Sequence, residues 1–104
     1  MKNILIIGSS GFVGKSLIDF FIKYHNNVNK IYCISRRGFK IINKSQNIKI
    51  IYKKSDFLNI KKLPKINYIF YLINSKNLQK SKKIFFNFKK LLLKLEKKPQ
   101  ILFT

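Results

Sequence analysis

A glycine-rich turn close to the start of the chain constrains the possible folds more than any other feature. The segment 8–14 reads GSSGFVG, so it holds three of the four glycines of this 104-residue chain at three-residue spacing. It follows the apolar run 4–7, which is typical of a strand buried on both faces. It precedes a stretch, 12–24, in which apolar residues recur at helical spacing. A strand, a glycine-rich turn and a helix in this order predict the first unit of an α/β fold.

Each glycine of the turn has a physical role in such a unit. Gly8 permits the sharp exit from the strand, Gly11 lets the backbone approach a diphosphate, and Gly14 lets the helix pack closely on the sheet. The first N–H groups of the helix then face the phosphates, with the positive end of the helix dipole behind them. The segment therefore predicts a dinucleotide-binding turn, and the alternative is a tight turn with a purely structural role.

A P-loop is a second alternative, because Gly14-Lys15-Ser16 resembles the end of G-x-x-x-x-G-K-[ST]. That motif requires its first glycine at position 9, which is Ser9. The later predicted strands also end without the aspartate that helps to hold magnesium in P-loop proteins. The spacing therefore favours the dinucleotide-binding turn.

The remainder of the chain continues the alternation of strands and helices. Apolar runs predict strands at 30–35, 48–52, 68–73 and from 100 to the chain end. The segment 57–64 has room for a turn or two of helix ended by Pro64, and 39–47 is a short helix or a loop. A long helix is expected from about 76 to 97, with an inner stripe of Phe85, Phe88, Leu92 and Leu95. The pattern predicts an α/β fold with a doubly wound parallel sheet of the Rossmann type, incomplete and ending at its fifth strand.

The strong positive charge raises a different functional class. Lys and Arg number 23 against three acids, which gives a formal charge of +20 and suggests nucleic-acid binding. However, 21 of the 23 are lysines spread along the whole chain, and Lys, Ile and Asn together fill 50 positions while Ala is absent. This composition favours a coding bias towards A/T-rich codons over a dedicated nucleic-acid surface. We expect non-specific, salt-sensitive binding of polyanions.

The single cysteine and the lengths of the apolar runs indicate an intracellular, cytoplasmic protein of one domain. Cys33 has no partner for a disulfide, and no apolar run approaches the ~20 residues of a membrane helix. Cys33 lies within an apolar run, which predicts a buried packing role. His25 lies at the end of the first predicted helix, where a cationic ring interacts favourably with the negative end of the helix dipole. No metal site is predicted.

Four segments stand in order along the chain: 4–14, Ser55-Asp56-Phe57-Leu58, 67–72 and 101–104. Together they resemble the extended short-chain dehydrogenase/reductase superfamily, specifically the NAD(P)-dependent sugar epimerases and dehydratases. The resemblance covers the whole chain but only about the first third of a family member. It implies the N-terminal NAD(P)-binding portion of an oxidoreductase that acts on a nucleotide sugar or similar substrate. The catalytic helix and the substrate domain would then be missing, so we expect a fragment or a truncated reading frame.

The resemblance implies a cofactor role for individual positions. Phe12 and Val13 match the pair over the diphosphate, and Asp56 with Phe57 matches the acidic–hydrophobic pair that bonds and packs on adenine. An ordinary turn or N-cap acid is the alternative for Asp56. The end of the fourth strand would lie under the ribose and nicotinamide, where Ile73 replaces the family's usual small residue. The full expected set is Gly8, Ser10, Gly11, Phe12, Val13, Gly14, Arg36, Arg37, Asp56, Phe57, Leu72, Ile73 and Asn74.

The end of the second strand indicates which dinucleotide is preferred. An acid there would bond the ribose 2′-hydroxyl of NAD, whereas arginine accommodates the 2′-phosphate of NADP. The chain has Arg36 and Arg37 at this place and no acid nearby. A guanidinium can bind phosphate with two parallel hydrogen bonds, so NADP is favoured over NAD.

Catalytic residues are not expected in this chain. Hydride transfer in the family needs a tyrosine activated by a lysine four residues later, and no Tyr-x-x-x-Lys occurs in the sequence. The chain alone is therefore expected to be inactive, and to expose apolar surface at its fifth strand. Two other functions stay open: a non-catalytic dinucleotide-binding module and a small basic nucleic-acid-binding protein.

Overall fold

Strands and helices alternate along the chain, as the apolar pattern predicts. The structure, a computed structural model, describes residues 2–8, 12–24, 27–36, 48–55, 57–58, 60–73 and 78–103. In chain order its elements are β1 (Lys2–Ile7), α1 (Phe12–Tyr24), β2 (Val28–Ser35), β3 (Lys49–Lys54), β4 (Tyr68–Tyr71), α2 (Leu78–Leu93) and β5 (Gln100–Phe103). The stretch 39–47, predicted as a short helix or loop, lies outside the described residues.

The strands of the described residues form one parallel sheet in the order β3-β2-β1-β4-β5. Ile4 of β1 pairs with Ile31 of β2 on one side and with Tyr68 of β4 on the other. The chain thus runs outward from β1 to β3 and then crosses to the other side of β1 for β4 and β5. This reversal defines a doubly wound sheet and confirms the predicted Rossmann-type fold class.

Each helix covers its own face of the sheet. Leu5 of β1 belongs to a core cluster that contains Phe88 of α2, whereas Ile4 belongs to a second cluster that contains Ile18 of α1. Successive residues of a strand point to opposite faces, so β1 requires apolar side chains at every position from 4 to 7. All four of these side chains are buried. None of the helices within the described ranges combines the length and the apolar character needed to cross a membrane.

Asparagine side chains and main chains join the amino ends of three strands. The N–H of Asn3 donates to Oδ1 of Asn67 at 2.8 Å, and the N–H of Asn67 donates to the carbonyl oxygen of Asn3 at 2.9 Å. The N–H of Gln100 in turn donates to the carbonyl oxygen of Asn67 at 3.0 Å. These bonds satisfy main-chain groups at the starts of β1, β4 and β5 and hold the three strands in register.

The helix predicted at 57–64 is wrong, because the described residues of this segment have an irregular backbone. Phe57 has a φ of 75°, which is left-handed and incompatible with a right-handed helix. The side chains of Phe57, Ile60, Leu63 and Ile66 are all buried in the cluster beneath α2. The segment thus follows the sheet surface, with a buried side chain at every third position.

Asn87 of α2 provides the hydrogen bonds that a helix would have supplied at 57–60. Its Nδ2 donates to the carbonyl oxygen of Phe57 at 2.8 Å and to that of Ile60 at 3.3 Å. A buried carbonyl group without a hydrogen-bond partner costs free energy. Asn87 supplies partners for two such groups and so stabilises the irregular path of the segment.

Replacing Asn87 by alanine is expected to destabilise the protein by about 1–3 kcal/mol, since the carbonyl groups of Phe57 and Ile60 lose a donor. Urea unfolding followed by circular dichroism measures the change. Lys83→Ala on an exposed position of the same helix is the matched control and should change stability by less than ~0.5 kcal/mol. Equal stabilities of the two variants would show that these bonds do not hold the segment.

The second helix is shorter than predicted, and it presents a different stripe to the core. It covers Leu78–Leu93 instead of about 76–97. Its buried residues are Ile84, Phe88 and Leu91, whereas Phe85 of the predicted stripe is exposed. Leu92 and Leu95 pack partly against the same cluster. The strand limits also shift: β2 begins two residues earlier than predicted, β3 extends to Lys54 and β4 ends at Tyr71.

A lysine side chain accounts for the early end of α2. Nζ of Lys98 donates to the carbonyl oxygens of Leu92 at 2.7 Å and Leu95 at 3.1 Å. The N–H of Lys94 bonds the carbonyl of Leu91 at 3.2 Å, a three-residue closure typical of a final turn. The carbonyl groups of Leu91, Leu92 and Leu95 therefore have partners before Pro99 is reached. The cationic side chain of Lys98 also interacts favourably with the negative end of the helix dipole.

Candidate functional site

Gly8 lies where the carboxyl ends of three strands meet. Its N–H donates to the carbonyl oxygen of Ile34 at the end of β2, at 2.8 Å. A Cβ on Gly8 would lie 3.1 Å from the carbonyl carbon and oxygen of Leu72 and 3.3 Å from the nitrogen of Ile73. The φ of Gly8 is +88°, a conformation that other residues adopt only with strain. Any side chain at position 8 would therefore be strained and tightly placed against the main chain that follows β4.

Helix α1 begins at the same edge of the sheet, because only residues 9–11 separate it from Gly8. The first N–H groups of a helix have no acceptor within the helix, and they carry the positive end of its dipole. The first turn of α1 contains no acidic residue that would neutralise this end. Val13 is half exposed at the start of α1, and Gly14 is buried. The edge can therefore accept an anion at the start of α1.

Cationic side chains lie at the carboxyl ends of β2 and β3. Arg36 is exposed and comes directly after Ser35, the last residue of β2. Ser35 pairs with Lys54 of β3, and the N–H of Ser55 donates to the carbonyl oxygen of Ser35 at 2.8 Å. Lys53 and Lys54 are exposed and were not among the residues predicted for the site. Their signal in the sequence was their place at the end of the third strand, shortly before Asp56.

The ring of Phe57 does not lie at the site, which corrects the predicted packing on adenine. The side chain is fully buried, and its ring centroid lies 5.9 Å from that of Phe88 in the core. The N–H of Phe57 donates to Oγ of Ser55 at 3.0 Å, which turns the chain inward after β3. The positive φ of Phe57 completes this turn. The ring is therefore part of the core and is not available to a ligand.

Leu72 and Ile73 follow β4 and contact Gly8 through their main chains. The N–H of Leu72 donates to the carbonyl oxygen of Ile7 at 2.9 Å, which extends the pairing of β4 with β1 by one residue. The side chain of Leu72 packs against the cluster under α1, and that of Ile73 packs against the cluster under α2. The side chain of Ile73, which replaces the family's usual small residue, is therefore engaged in part by the core.

The structure thus brings Gly8, Leu72 and Ile73 into contact and places Val13, Gly14 and Arg36 at the same edge of the sheet. The main chain of Phe12 starts α1, but its side chain is not among those described. The other predicted positions lie outside the described residues: Ser10, Gly11, Arg37, Asp56 and Asn74. Their roles stay predictions.

Among the described residues, few groups able to carry out proton transfer or metal chemistry lie near this edge. Tyr71 at the end of β4 is buried between Phe88 and Phe103, and this burial raises the pKa of its phenol. Tyr71 therefore stays protonated at neutral pH. Cys33 is buried in β2, as predicted from its apolar surroundings. Among the described residues no group of three His, Cys, Asp or Glu side chains lies close enough to hold a metal ion.

Comparison with known proteins gives short matches in sequence. No family model matches the chain. It is 39% identical over 61 residues to both "Probable polyketide synthase 34" and "Probable polyketide synthase 29" of Dictyostelium discoideum. Each match takes 59% of this chain and 2% of the relative. The chain therefore spans a very small part of the length of these curated relatives.

Comparison of structures gives a match over the whole chain. The crystal structure of "a putative NADH-flavin reductase" from Streptococcus pneumoniae superimposes with a TM-score of 0.67 at 22% identity. The match covers 100% of this chain and 47% of that chain, so this protein spans about half of the neighbour. At this identity the likeness shows the fold: the same Rossmann-like arrangement of parallel strands and helices.

Proposed function

We propose that the chain binds a nicotinamide dinucleotide at the carboxyl edge of its sheet. The observation that carries this proposal is Gly8, whose positive φ and close approach to the main chain of Leu72 would strain any side chain at this position. Because α1 starts four residues later without an acid in its first turn, the diphosphate would bind to the N–H groups of that turn. The likeness to a reductase fold supports this proposal.

The remaining parts of the dinucleotide are assigned to residues around this point. Asp56 would accept a hydrogen bond from the adenine amino group, and the main chain of Leu72, Ile73 and Asn74 would lie under the ribose and nicotinamide. Phe12 and Val13 would lie over the diphosphate, next to Ser10 and Gly11. The bound nicotinamide would supply reversible hydride transfer, whereas these residues bind and orient it.

NADP is favoured over NAD because two arginines follow β2 and a lysine of β3 pairs with its last residue. Arg36 follows this strand and Arg37 comes next in the sequence. Lys54 of β3 pairs with Ser35, the last residue of β2. A 2′-phosphate would bind Arg36 and Arg37, and a nearby lysine would add to its attraction. No acid follows β2 to bond the 2′-hydroxyl that NAD carries at this place.

The chemistry of the longer protein is proposed from the resemblance of the four segments. An extended short-chain dehydrogenase/reductase would exchange hydride between the dinucleotide and a nucleotide sugar or similar substrate. The 104 residues would then be its N-terminal cofactor-binding portion. A flavin reductase is the second candidate, favoured by the name of the structural neighbour. A Tyr-x-x-x-Lys pair in sequence encoded downstream would favour the short-chain dehydrogenase/reductase. Absence of the pair would favour a dinucleotide-binding module without those catalytic residues.

Fluorescence titration of the chain with NADPH and NADH tests the proposal. We expect saturable binding of both dinucleotides, with NADPH the tighter. Arg36→Gln should lower the affinity for NADPH about tenfold, since one charge-assisted bond to phosphate is worth about 1.5–3 kcal/mol, and leave NADH almost unchanged. Lys2→Gln at the opposite edge of the sheet removes the same charge and is the control. Failure of both dinucleotides to bind would overturn the proposed function.

Binding of nucleic acid is distinguished by its dependence on salt. Contacts between scattered lysines and phosphates weaken steeply as salt rises, and they should be largely lost by ~200 mM. Tight binding of RNA or DNA that survives this concentration would favour the nucleic-acid-binding alternative instead.

A further inference from the structure

A groove between the second half of α2 and the segment after β3 contains no residue of the proposed nucleotide site. Its volume is about 540 Å³, within the range of about 300–1,000 Å³ that is common for pockets holding small organic ligands. Ile60 and Leu91 form a buried floor. Leu58 and Leu93 also line the groove, with 37% and 78% of their surface exposed, so the groove offers accessible apolar contact.

Asn87 and three lysines complete the lining of this groove, the lysines being Lys61, Lys90 and Lys94. All three are exposed, and none of the lining residues that the structure describes is acidic. Nζ of Lys90 also lies 4.7 Å from the ring centroid of Phe86, a cation–π contact on the same helix. An apolar floor beside three cations is complementary to a molecule with an apolar tail and an anionic head.

We propose that this lysine-lined groove binds a single-chain carboxylate amphiphile, with the chemistry of a medium- or long-chain fatty acid. The alkyl tail packs on Ile60, Leu91 and Leu93, where it removes apolar surface from water. The carboxylate lies among the ammonium groups of the three lysines. A concave site of limited volume with buried floor residues favours one tail over the broad surface of a bilayer.

Titration with a series of saturated fatty-acid carboxylates of 8 to 14 carbons, each below its micelle concentration, tests the proposal. Affinity should rise about fourfold for each methylene that enters the groove and then level off when the volume is filled. Straight-chain alcohols of equal length should bind at least tenfold more weakly, because they lack the charge that the lysines attract. Calorimetry measures the affinities on the intact 104-residue chain.

Matched variants separate this groove from the general positive charge. Changing Lys61, Lys90 and Lys94 together to Gln should weaken carboxylate binding at least tenfold. Changing Lys2, Lys23 and Lys49, which are exposed elsewhere, removes the same charge and should weaken it less than twofold. Leu93→Ser should weaken binding of every chain length while the preference of carboxylate over alcohol is kept.

Three results would overturn the proposal. The first is equal loss in the two triple variants, and the second is equal binding of carboxylate and alcohol. The third is binding that appears only with anionic vesicles, or that grows with chain length without levelling off, because either would indicate a bilayer surface. NADPH affinity should be unchanged in the groove variants, so this test and that of the proposed function give separate answers.

Discussion

Phe88→Ala is expected to lower the free energy of unfolding by about 3–5 kcal/mol, the usual effect of removing a buried phenylalanine side chain. The ring is fully buried, and its centroid lies 4.8 Å from that of Tyr71 and 5.9 Å from that of Phe57. Alanine would leave a cavity between α2, the end of β4 and the irregular segment. Since domains of this size are stable by about 5–15 kcal/mol, urea unfolding should show a large part of the stability lost.

Phe86→Ala is the matched control, because it makes the same chemical change two residues earlier on the same helix. Phe86 is 61% exposed and contacts the ammonium group of Lys90. An exposed cation–π contact is worth about 0.5–1 kcal/mol, so the loss should stay near that value. Equal losses in the two variants would contradict the assignment of Phe88 to the core.

Gly8→Val is expected to abolish dinucleotide binding and to destabilise the protein by at least ~1–3 kcal/mol. The left-handed φ of +88° is strained for valine, and its Cβ would lie 3.1 Å from main-chain atoms of Leu72 that cannot move without disturbing β4. The valine side chain would push the end of β1 away from the residues after β4 and so displace the start of α1, where the diphosphate is proposed to bind. Thermal unfolding measures the stability, and fluorescence titration with NADPH measures the affinity.

Ser16→Ala, on an exposed position of α1, is the control for this variant and should keep both stability and affinity. Affinity for NADPH that survives in a folded Gly8→Val protein would refute the role of this turn. A loss of stability with unchanged affinity in the remaining folded protein would leave Gly8 with a structural role only.

The fold was largely predictable because its signals are local. The β-branched runs and the periodicity of 12–24 are contained within their own elements, and α1 begins and ends where that periodicity predicts. The stripe of α2 was less certain, because Ile84 and Phe85 both precede Phe88 at helical spacing. Only packing against the sheet decides that Ile84 is buried and Phe85 exposed.

The irregular segment after β3 could not be predicted from local pattern. Its path depends on Asn87, which lies about 30 residues away in sequence and donates to the carbonyl groups of Phe57 and Ile60. A similar side-chain effect ends α2, where Lys98 bonds two carbonyl groups before Pro99. Tertiary contacts of single side chains override local propensity in both places.

For the candidate site, the glycine spacing predicted a sharp exit from β1 at Gly8, whose φ is +88°, but not its close approach to the main chain of Leu72. The resemblance named Leu72 and Ile73, whose main chains lie beside Gly8 and whose cofactor roles stay predictions, but it misplaced the ring of Phe57. A hydrophobic residue after an acid has the same pattern whether it faces a ligand or the core. Only the turn at Ser55 and the positive φ of Phe57 distinguish the two.

The pairing of β1 with β4 has a consequence for the order of events during synthesis. The bonds between Asn3 and Asn67 join residues 64 positions apart, and Gly8 lies against Leu72 only after β4 has added to the sheet. A nascent chain from which only β1, α1 and β2 have emerged from the ribosome therefore lacks the main chain of Leu72 beside Gly8. Long-range closure of this kind is slow compared with helix formation. The proposed nucleotide-binding edge should consequently form late, only after the residues up to Leu72 and Ile73 have emerged and collapsed onto the sheet.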